Sequence, residues 1–276
     1  MNVSSRFDVT GFAVIVTGGA SGLGLAYGEV LASHGARVTL IDVDAEAVNA
    51  QAERLQQQGL DVRSAHADVT DRDALDRAID EAAEHYGRLD VAFANAGIDP
   101  GVGPLGAWAG SERPRVAEGA LERYGDERWD RVIEINLNGV FATARAAARH
   151  MRPRRFGRII ITTSLAATKV ETVIGAAYMT AKAGARQFMR TIALELAGDG
   201  ITANAIAPGF FVTNIGGGHA HNPAEQAAMA KDIPMHRVGF PDDIKALALF
   251  LASPASDYIT GQEIVIDGGW GLGIAD

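Results

Sequence analysis

Seven short runs dominated by β-branched and other apolar residues punctuate the chain, at 12–17, 37–42, 62–66, 89–94, 158–163, 201–206 and 263–266. Several of them are apolar throughout instead of alternating, the pattern expected of strands that helices cover on both faces. The segments between them, at 22–34, 45–58, 72–86 and 244–252, carry helical spacing, with Asp71 placed to cap one start and Gly35 to close one end. Strand and helix in this alternation predict an α/β fold, a doubly wound seven-stranded parallel sheet. No stretch reads as a linker or a repeat, so residues 1–276 are expected to form a single domain, and a hydrophobic content of 47% is ample for one continuous core. Two segments break the rhythm, at 98–125 and 208–234. Long irregular connections in compact domains are often binding loops or lids, and both of these would follow the carboxyl ends of strands, where open α/β sheets hold ligands.

Charge narrows the partners. A net charge of −9 leaves Arg152, Arg154 and Arg155 as the only dense basic cluster, which reads as a solvated helix end and gives nucleic acid no surface. The chain has no cysteine, which excludes disulfides, thiolate nucleophiles and zinc–thiolate sites, and makes a reducing cytoplasm the expected location. No segment sustains the roughly 20 apolar residues of a membrane span, and the first ten residues lack a signal-peptide pattern. No membrane partner is expected.

Directly after the first apolar run comes Thr17-Gly18-Gly19-Ala20-Ser21-Gly22-Leu23-Gly24, which then opens a helix. In that setting glycines let backbone amides approach a pyrophosphate at a helix N-terminus, as in a Rossmann fold, so Gly18, Ser21, Gly22, Leu23 and Gly24 are expected to bind a dinucleotide. The second run ends at Asp42, 18 residues past Gly24 and close to the spacing at which an acid accepts hydrogen bonds from an adenosine ribose. Asp42 would repel a 2′-phosphate, and neither Ser21 nor Val43 offers a cation for one, so the expected cofactor is NAD in preference to NADP. A surface Asp capping the next helix is the plainer alternative.

Further along, Tyr178 and Lys182 lie four apart in a helical segment and so share one face. A phenol is a poor acid/base at neutral pH unless a neighbouring cation favours phenolate, and Lys182 is such a cation. Tyr–Lys pairs at this spacing are common on helix surfaces, so the pair needs its context. Ser164 supplies part of it, following an apolar strand at the end that faces the ligand crevice. Asn136 falls on the stripe Trp129, Val132, Ile133, Asn136 and Val140, which should be buried. A buried amide needs partners, either backbone groups or a water on a proton path to Lys182.

Together these residues resemble the short-chain dehydrogenase/reductase family over essentially the whole chain. The resemblance rests on TGxxxGxG at Thr17 to Gly24, Asp68-Val69, Asn95-Ala96-Gly97, Asn136, Ser164, Tyr178-x-x-x-Lys182, Pro208-Gly209 with Thr213, and Gly261-Gln262 to Asp267-Gly268-Gly269. It implies that Asp68 and Val69 flank the adenine, that Asn95 and Pro208 line the cofactor, that Thr213 contacts it, and that Tyr178 and Lys182 both bind it and act in a catalytic tetrad with Asn136 and Ser164. It also implies a homotetramer. Ala94 stands where the family usually doubles the Asn, and the 98–125 segment is longer than is common. The activity implied is hydride transfer between NAD(H) and a secondary alcohol or ketone. Trp108, Phe210 and Phe211 among small residues suggest an uncharged substrate, cyclic ones included. His219 and His221 lack the further ligands of a metal site, so no metal is expected. Two other readings stay open: a non-catalytic NAD-binding regulator, and an epimerase or dehydratase that retains its NAD.

Overall fold

In the computed structural model, which describes residues 3–99, 103–105 and 114–273, the apolar runs become β1 (Ala13–Thr17), β2 (Arg37–Asp42), β3 (Val62–His66), β4 (Val91–Ala94), β5 (Gly157–Thr162), β6 (Ile201–Pro208) and β7 (Glu263–Ile266). All pair in parallel, in the order β3-β2-β1-β4-β5-β6-β7. Each residue of β1, β4 and β5 is buried, as uninterrupted apolar sequence requires of a strand covered on both sides.

The covering helices are α1 (Gly22–Ser33), α2 (Ala45–Gln56), α3 (Arg72–Tyr86), α4 (Asp126–Ile133), α5 (Gly139–Met151), α6 (Ala176–Leu196), α7 (Pro223–Ala230) and α8 (Pro241–Ala252). One core joins Ile15, Ile41, Ala92 and Ile159 to Leu75 and Ile79 of α3, Ala146 and Met151 of α5, and Ala185 and Met189 of α6. On the opposite face, Val14, Val16, Val38, Leu40 and Phe93 pack against α1, α2 and α8 through Tyr27, Leu31, Val48, Leu55, Ile244 and Leu251. The expected seven-stranded, doubly wound single domain is what forms. Its strand order reverses between β1 and β4, and a crevice opens at the carboxyl ends there.

Two helix readings shift. The 208–234 segment, read as irregular, contains α7, capped where Asn222 Oδ1 accepts the Ala224 N–H at 2.9 Å. Gly216, Gly217 and Gly218 just upstream conceal that short helix in the sequence. The last helix starts at Pro241 instead of 244, because Asp243 turns back to accept the Phe240 N–H at 2.9 Å. The small residues of α5 and α6, Ala142, Ala144, Ala146, Ala147, Ala181 and Ala185, are buried within this one chain.

Candidate active site

At the first turn, Gly18 takes φ +66° and Gly22 φ +54°, values that side chains disfavour. Space is just as restrictive. A Cβ on Gly24 would lie 2.0 Å from the Gly18 carbonyl oxygen and 2.5 Å from Asn95 Nδ2, and one on Gly18 would lie 2.9 Å from the Ala96 Cα. The turn is therefore bare backbone beside the start of α1, whose N-cap Ser21 makes no capping hydrogen bond with its side chain. Thr213 stands against Gly22, 3.4 Å from where a Cβ would be. At the end of β2, Asp42 Oδ2 accepts the Ala20 N–H at 3.0 Å and Oδ1 accepts the Asp44 N–H at 3.1 Å, so the carboxylate is fixed beside the cradle. The plainer reading of Asp42 as the cap of α2 fails, since Asp44 caps that helix by accepting the Ala47 N–H.

A polar staple ties the strand ends together. Asn95 Nδ2 donates to the carbonyls of Thr17 and Gly18 at 3.0 and 3.2 Å, the Asn95 N–H donates to Thr17 Oγ1 at 3.1 Å, and Thr162 Oγ1 donates to Asn95 Oδ1 at 3.0 Å. The neighbouring Thr162 carbonyl accepts from Lys182 Nζ at 2.9 Å. The side chain of Asn95 thus spans β1, β4 and β5, and it also lines the cleft.

Asn136 is wholly buried, though not on a regular helix. Residues Glu134–Asn138 form a π-helical turn between α4 and α5, a distortion often found at functional sites. Trp129, at the head of the expected stripe, is 37% exposed. Asn136 Nδ2 donates to the carbonyls of Ile98 at 2.9 Å and Val132 at 3.1 Å. Its Oδ1 has no partner and points at Gly97, where a Cβ would lie 2.6 Å from it and 3.4 Å from Lys182 Nζ. Both sequence-level alternatives for this amide meet in one side chain, with its nitrogen satisfied by backbone and its oxygen open toward the lysine.

Ser164 follows β5 and caps a short turn, its Oγ accepting the Ala166 N–H at 3.2 Å. Its hydroxyl also lies beside that of Tyr178, close enough to favour the phenolate. Tyr178 is 8% exposed, and Lys182 Nζ sits 5.5 Å from its ring centre. Burial pushes the phenol above its ordinary value, the negative charge of Asp99 adds to that, and Ser164 opposes both. Burial brings Lys182 down to about 8, against the pull of Asp99. Lys182 is expected from the sequence to lower the phenol, but burial and Asp99 dominate in the fold and only Ser164 pulls the other way, so Tyr178 is held as the neutral acid.

These groups share one cleft of about 680 Å³ lined by Gly18, Ser21, Gly22, Leu23, Asp42, Asp68, Val69, Asn95, Ser164, Tyr178, Lys182, Pro208 and Thr213. Val69 packs against Gly139, where a Cβ would lie 2.8 Å from its Cγ2. Asn136 sits just behind the wall. Asp99, Arg128 and Arg131 line the cleft as well and went unnoticed in the sequence; Asp99 was signalled only by its place four residues after Asn95. Phe211, expected in a substrate loop, lines the cleft but is 7% exposed, with its ring against Gly239. Trp108 lies outside the described residues, as does the side chain of His219, and His221 Nε2 pairs with Asn214 Oδ1 at 2.9 Å. Among the described residues no group of His, Asp and Glu is arranged to hold a metal, and no helix is long and apolar enough to cross a membrane.

A bare-backbone nucleotide cradle opening onto a half-buried Ser and a buried Tyr and Lys defines a class, the dinucleotide-linked oxidoreductases. Comparison with known proteins makes the assignment narrower. The family described as Enoyl-(Acyl carrier protein) reductase matches residues 18–271. The 3beta-hydroxysteroid dehydrogenase 1 of Eggerthella lenta is 34% identical over 266 residues, covering 96% of this chain and 95% of that protein. Two solved structures superpose closely: gox2181, with TM-score 0.87 and 33% identity over 98% of this chain and 100% of that one, and a gluconate 5-dehydrogenase from Burkholderia cenocepacia J2315 in complex with NADP and tartrate, with TM-score 0.86 and 30% identity over 98% and 99%. The chain belongs to the short-chain dehydrogenase/reductase family.

Proposed function

We propose that the protein is an NAD(H)-dependent oxidoreductase that interconverts a secondary alcohol and a ketone, with Tyr178 as general acid/base. The observation that carries this is the meeting of Ser164, Tyr178 and Lys182 in the same cleft as the cradle. The bare backbone that Gly18 and Gly22 present to the cleft and the open Asn136 Oδ1 suit a nicotinamide dinucleotide and the proton path that serves it. When bound, the nicotinamide supplies or takes up the hydride. Ser164 and Tyr178 present two hydroxyls to the substrate oxygen. In reduction the neutral Tyr178 gives its proton to the developing alkoxide, and in oxidation it takes the alcohol proton. Lys182, anchored on the Thr162 carbonyl, replaces the proton of Tyr178, and Asn136 Oδ1 accepts from a water that links Lys182 to solvent.

NAD is preferred on the strength of Asp42, whose carboxylate is fixed at the cleft beside a Val43 that is 60% exposed and uncharged. The Burkholderia enzyme was crystallised with NADP, so the choice is tested directly. A panel of cyclic and acyclic secondary alcohols, run with NAD and NADP in parallel, should produce NADH at least tenfold faster per micromolar cofactor than NADPH. Tyr178→Phe should lower turnover by roughly 10³-fold and keep NADH binding within threefold of wild type. Full activity in that variant sinks the assignment, and equal rates with NADP sink the Asp42 argument.

The expected tetramer belongs to the same reading. Beside the buried alanines, a groove between α5 and α6 lined by Phe141, Phe188, Ile192 and Leu196 stays open, and Leu194 on α6 is 86% exposed, surface suited to a second copy of this chain. Light scattering should give a solution mass near four chains, and a 29.0 kDa particle would rule the tetramer out.

A further inference from the structure

Thr163, immediately before Ser164, is a polar residue 1% exposed at the end of β5. Its N–H continues the ladder to the Ile206 carbonyl at 2.8 Å. Its hydroxyl lies 3.1 Å from that same carbonyl and 2.7 Å from Glu263 Oε1 at the start of β7. One hydroxyl proton serves one acceptor at a time, and the shorter, charge-assisted contact takes it. Glu263 Oε2 lies 2.8 Å from Arg186 Nε, and the Glu263 side chain is 8% exposed. Arg186 is one helical turn beyond Lys182 on α6. Thr163, Glu263 and Arg186 therefore form a bracket across β5, β7 and α6, fastened at one end beside Ser164 and at the other beside Lys182.

Nothing in the assembly of a core calls for this arrangement. A Val at 163 and an apolar residue at 263 would fill the same space without desolvating a carboxylate, and an ion pair whose Arg186 partner is 38% exposed is a weak source of net stability. The position of Ser164 depends on it more directly. Ser164 is carried on a turn of three residues, and its hydroxyl has to meet Tyr178, which comes from a different element. A shift of about 1 Å between such groups can cost two orders of magnitude in rate.

We propose that Glu263 is a positioning residue, holding Thr163 and thereby the Ser164 hydroxyl in register with Tyr178 and Lys182 on α6. The inference rests on the dehydrogenase reading for its kinetic consequence, and on the Thr163–Glu263 hydrogen bond and the Glu263–Arg186 ion pair for its structural one. Glu263→Gln keeps the shape but removes the charge that pairs with Arg186 and that strengthens the bond from Thr163. Thr163→Val keeps the β-branched shape and removes the donor, and Thr163→Ser restores it.

In the full-length protein, Glu263→Gln and Thr163→Val should each lower kcat about tenfold, leave the KM for NAD within twofold, and combine in the double variant to no more than the worse single effect. Thr163→Ser should recover kcat to within twofold of wild type, a rescue that lost packing would not show. Hydrogen exchange of the peptide spanning residues 163–167 should quicken in both impaired variants, whether or not a substrate is in hand. The proposal is overturned if kcat stays within twofold of wild type in both, if Thr163→Ser is as slow as Thr163→Val, or if exchange at 163–167 is unchanged. Absence of turnover by wild type with every alcohol tried retires the dehydrogenase reading instead, and the exchange measurement then decides the bracket.

Discussion

Lys182 is a cation that the fold hides almost completely, 2% exposed with its Nζ on the Thr162 carbonyl. Burial disfavours the charged form and holds the group near 8, against an ordinary 10.5. That difference corresponds to about 3 kcal/mol between the protonation states. In the unfolded chain Lys182 keeps its proton up to about 10.5, so below pH 8 the folded state carries the whole cost of a buried charge. Between 8 and 10.5 unfolding takes up a proton, and the cost fades as pH rises. Replacing the lysine with methionine removes the charge and forfeits one hydrogen bond of about 1 kcal/mol. Lys182→Met should therefore be about 2 kcal/mol more stable than wild type at pH 7 in urea titrations, with the advantage gone near pH 10.5. An unchanged advantage across that range would mean that folding leaves the affinity of the amine for its proton unaltered.

Among the elements, β1 and its turn were readable in detail, because an apolar run ending in a glycine string has few ways to fold. Continuous apolar sequence likewise located β4 and the centre of β5, where burial on both faces leaves no polar residue. What escaped the sequence is contact between distant segments and departure from ideal geometry. The π-helical turn around Asn136 breaks a stripe that looks regular in sequence. Thr163 and Glu263 are one hundred residues apart, and Asp99 acts on Tyr178 only because β4 ends and α6 begins at the same cleft. The glycine turn offers a test at this scale. Gly24→Ala puts a methyl into the Gly18 carbonyl and should cost roughly 2–3 kcal/mol and abolish nucleotide binding. Gly59→Ala, at φ +81° with nothing within 4 Å of the new Cβ, should cost about 1 kcal/mol from backbone strain alone and leave binding intact. Equal losses of stability in the two, measured by denaturant titration, would show that crowding at the cradle contributes nothing.

At the scale of the whole molecule, the sheet separates its tasks by end. At the amino ends of the strands, Asp90 is wholly buried and accepts from the Ala13 N–H at 2.9 Å and from Arg88 and Arg154 at 2.5 and 3.1 Å, which ties β1 and β4 to the segment before β5. At the carboxyl ends, the corresponding polar groups face a cleft, with Asp42, Asn95, Lys182 and Thr213 around its rim and floor. A ligand that binds only the folded state stabilises it by about 2.7 kcal/mol at one hundred times its Kd, which for a domain of this size amounts to a rise in Tm of roughly 5 °C. NADH should produce that rise, and NADPH at the same concentration a smaller one, because a 2′-phosphate would sit against the Asp42 carboxylate. Asp42→Ala should narrow the gap from both sides, weakening NADH through the lost ribose acceptor and relieving NADPH of repulsion. Hydrogen exchange in the presence of NADH should slow at the turn after β1, the end of β2 and the segment after β6, and stay unchanged around Asp90. A larger Tm rise with NADPH than with NADH in the wild-type protein would mean that the fixed carboxylate does not govern the choice. The cations that line the cleft, Arg128 and Arg131, would then be the groups to substitute next.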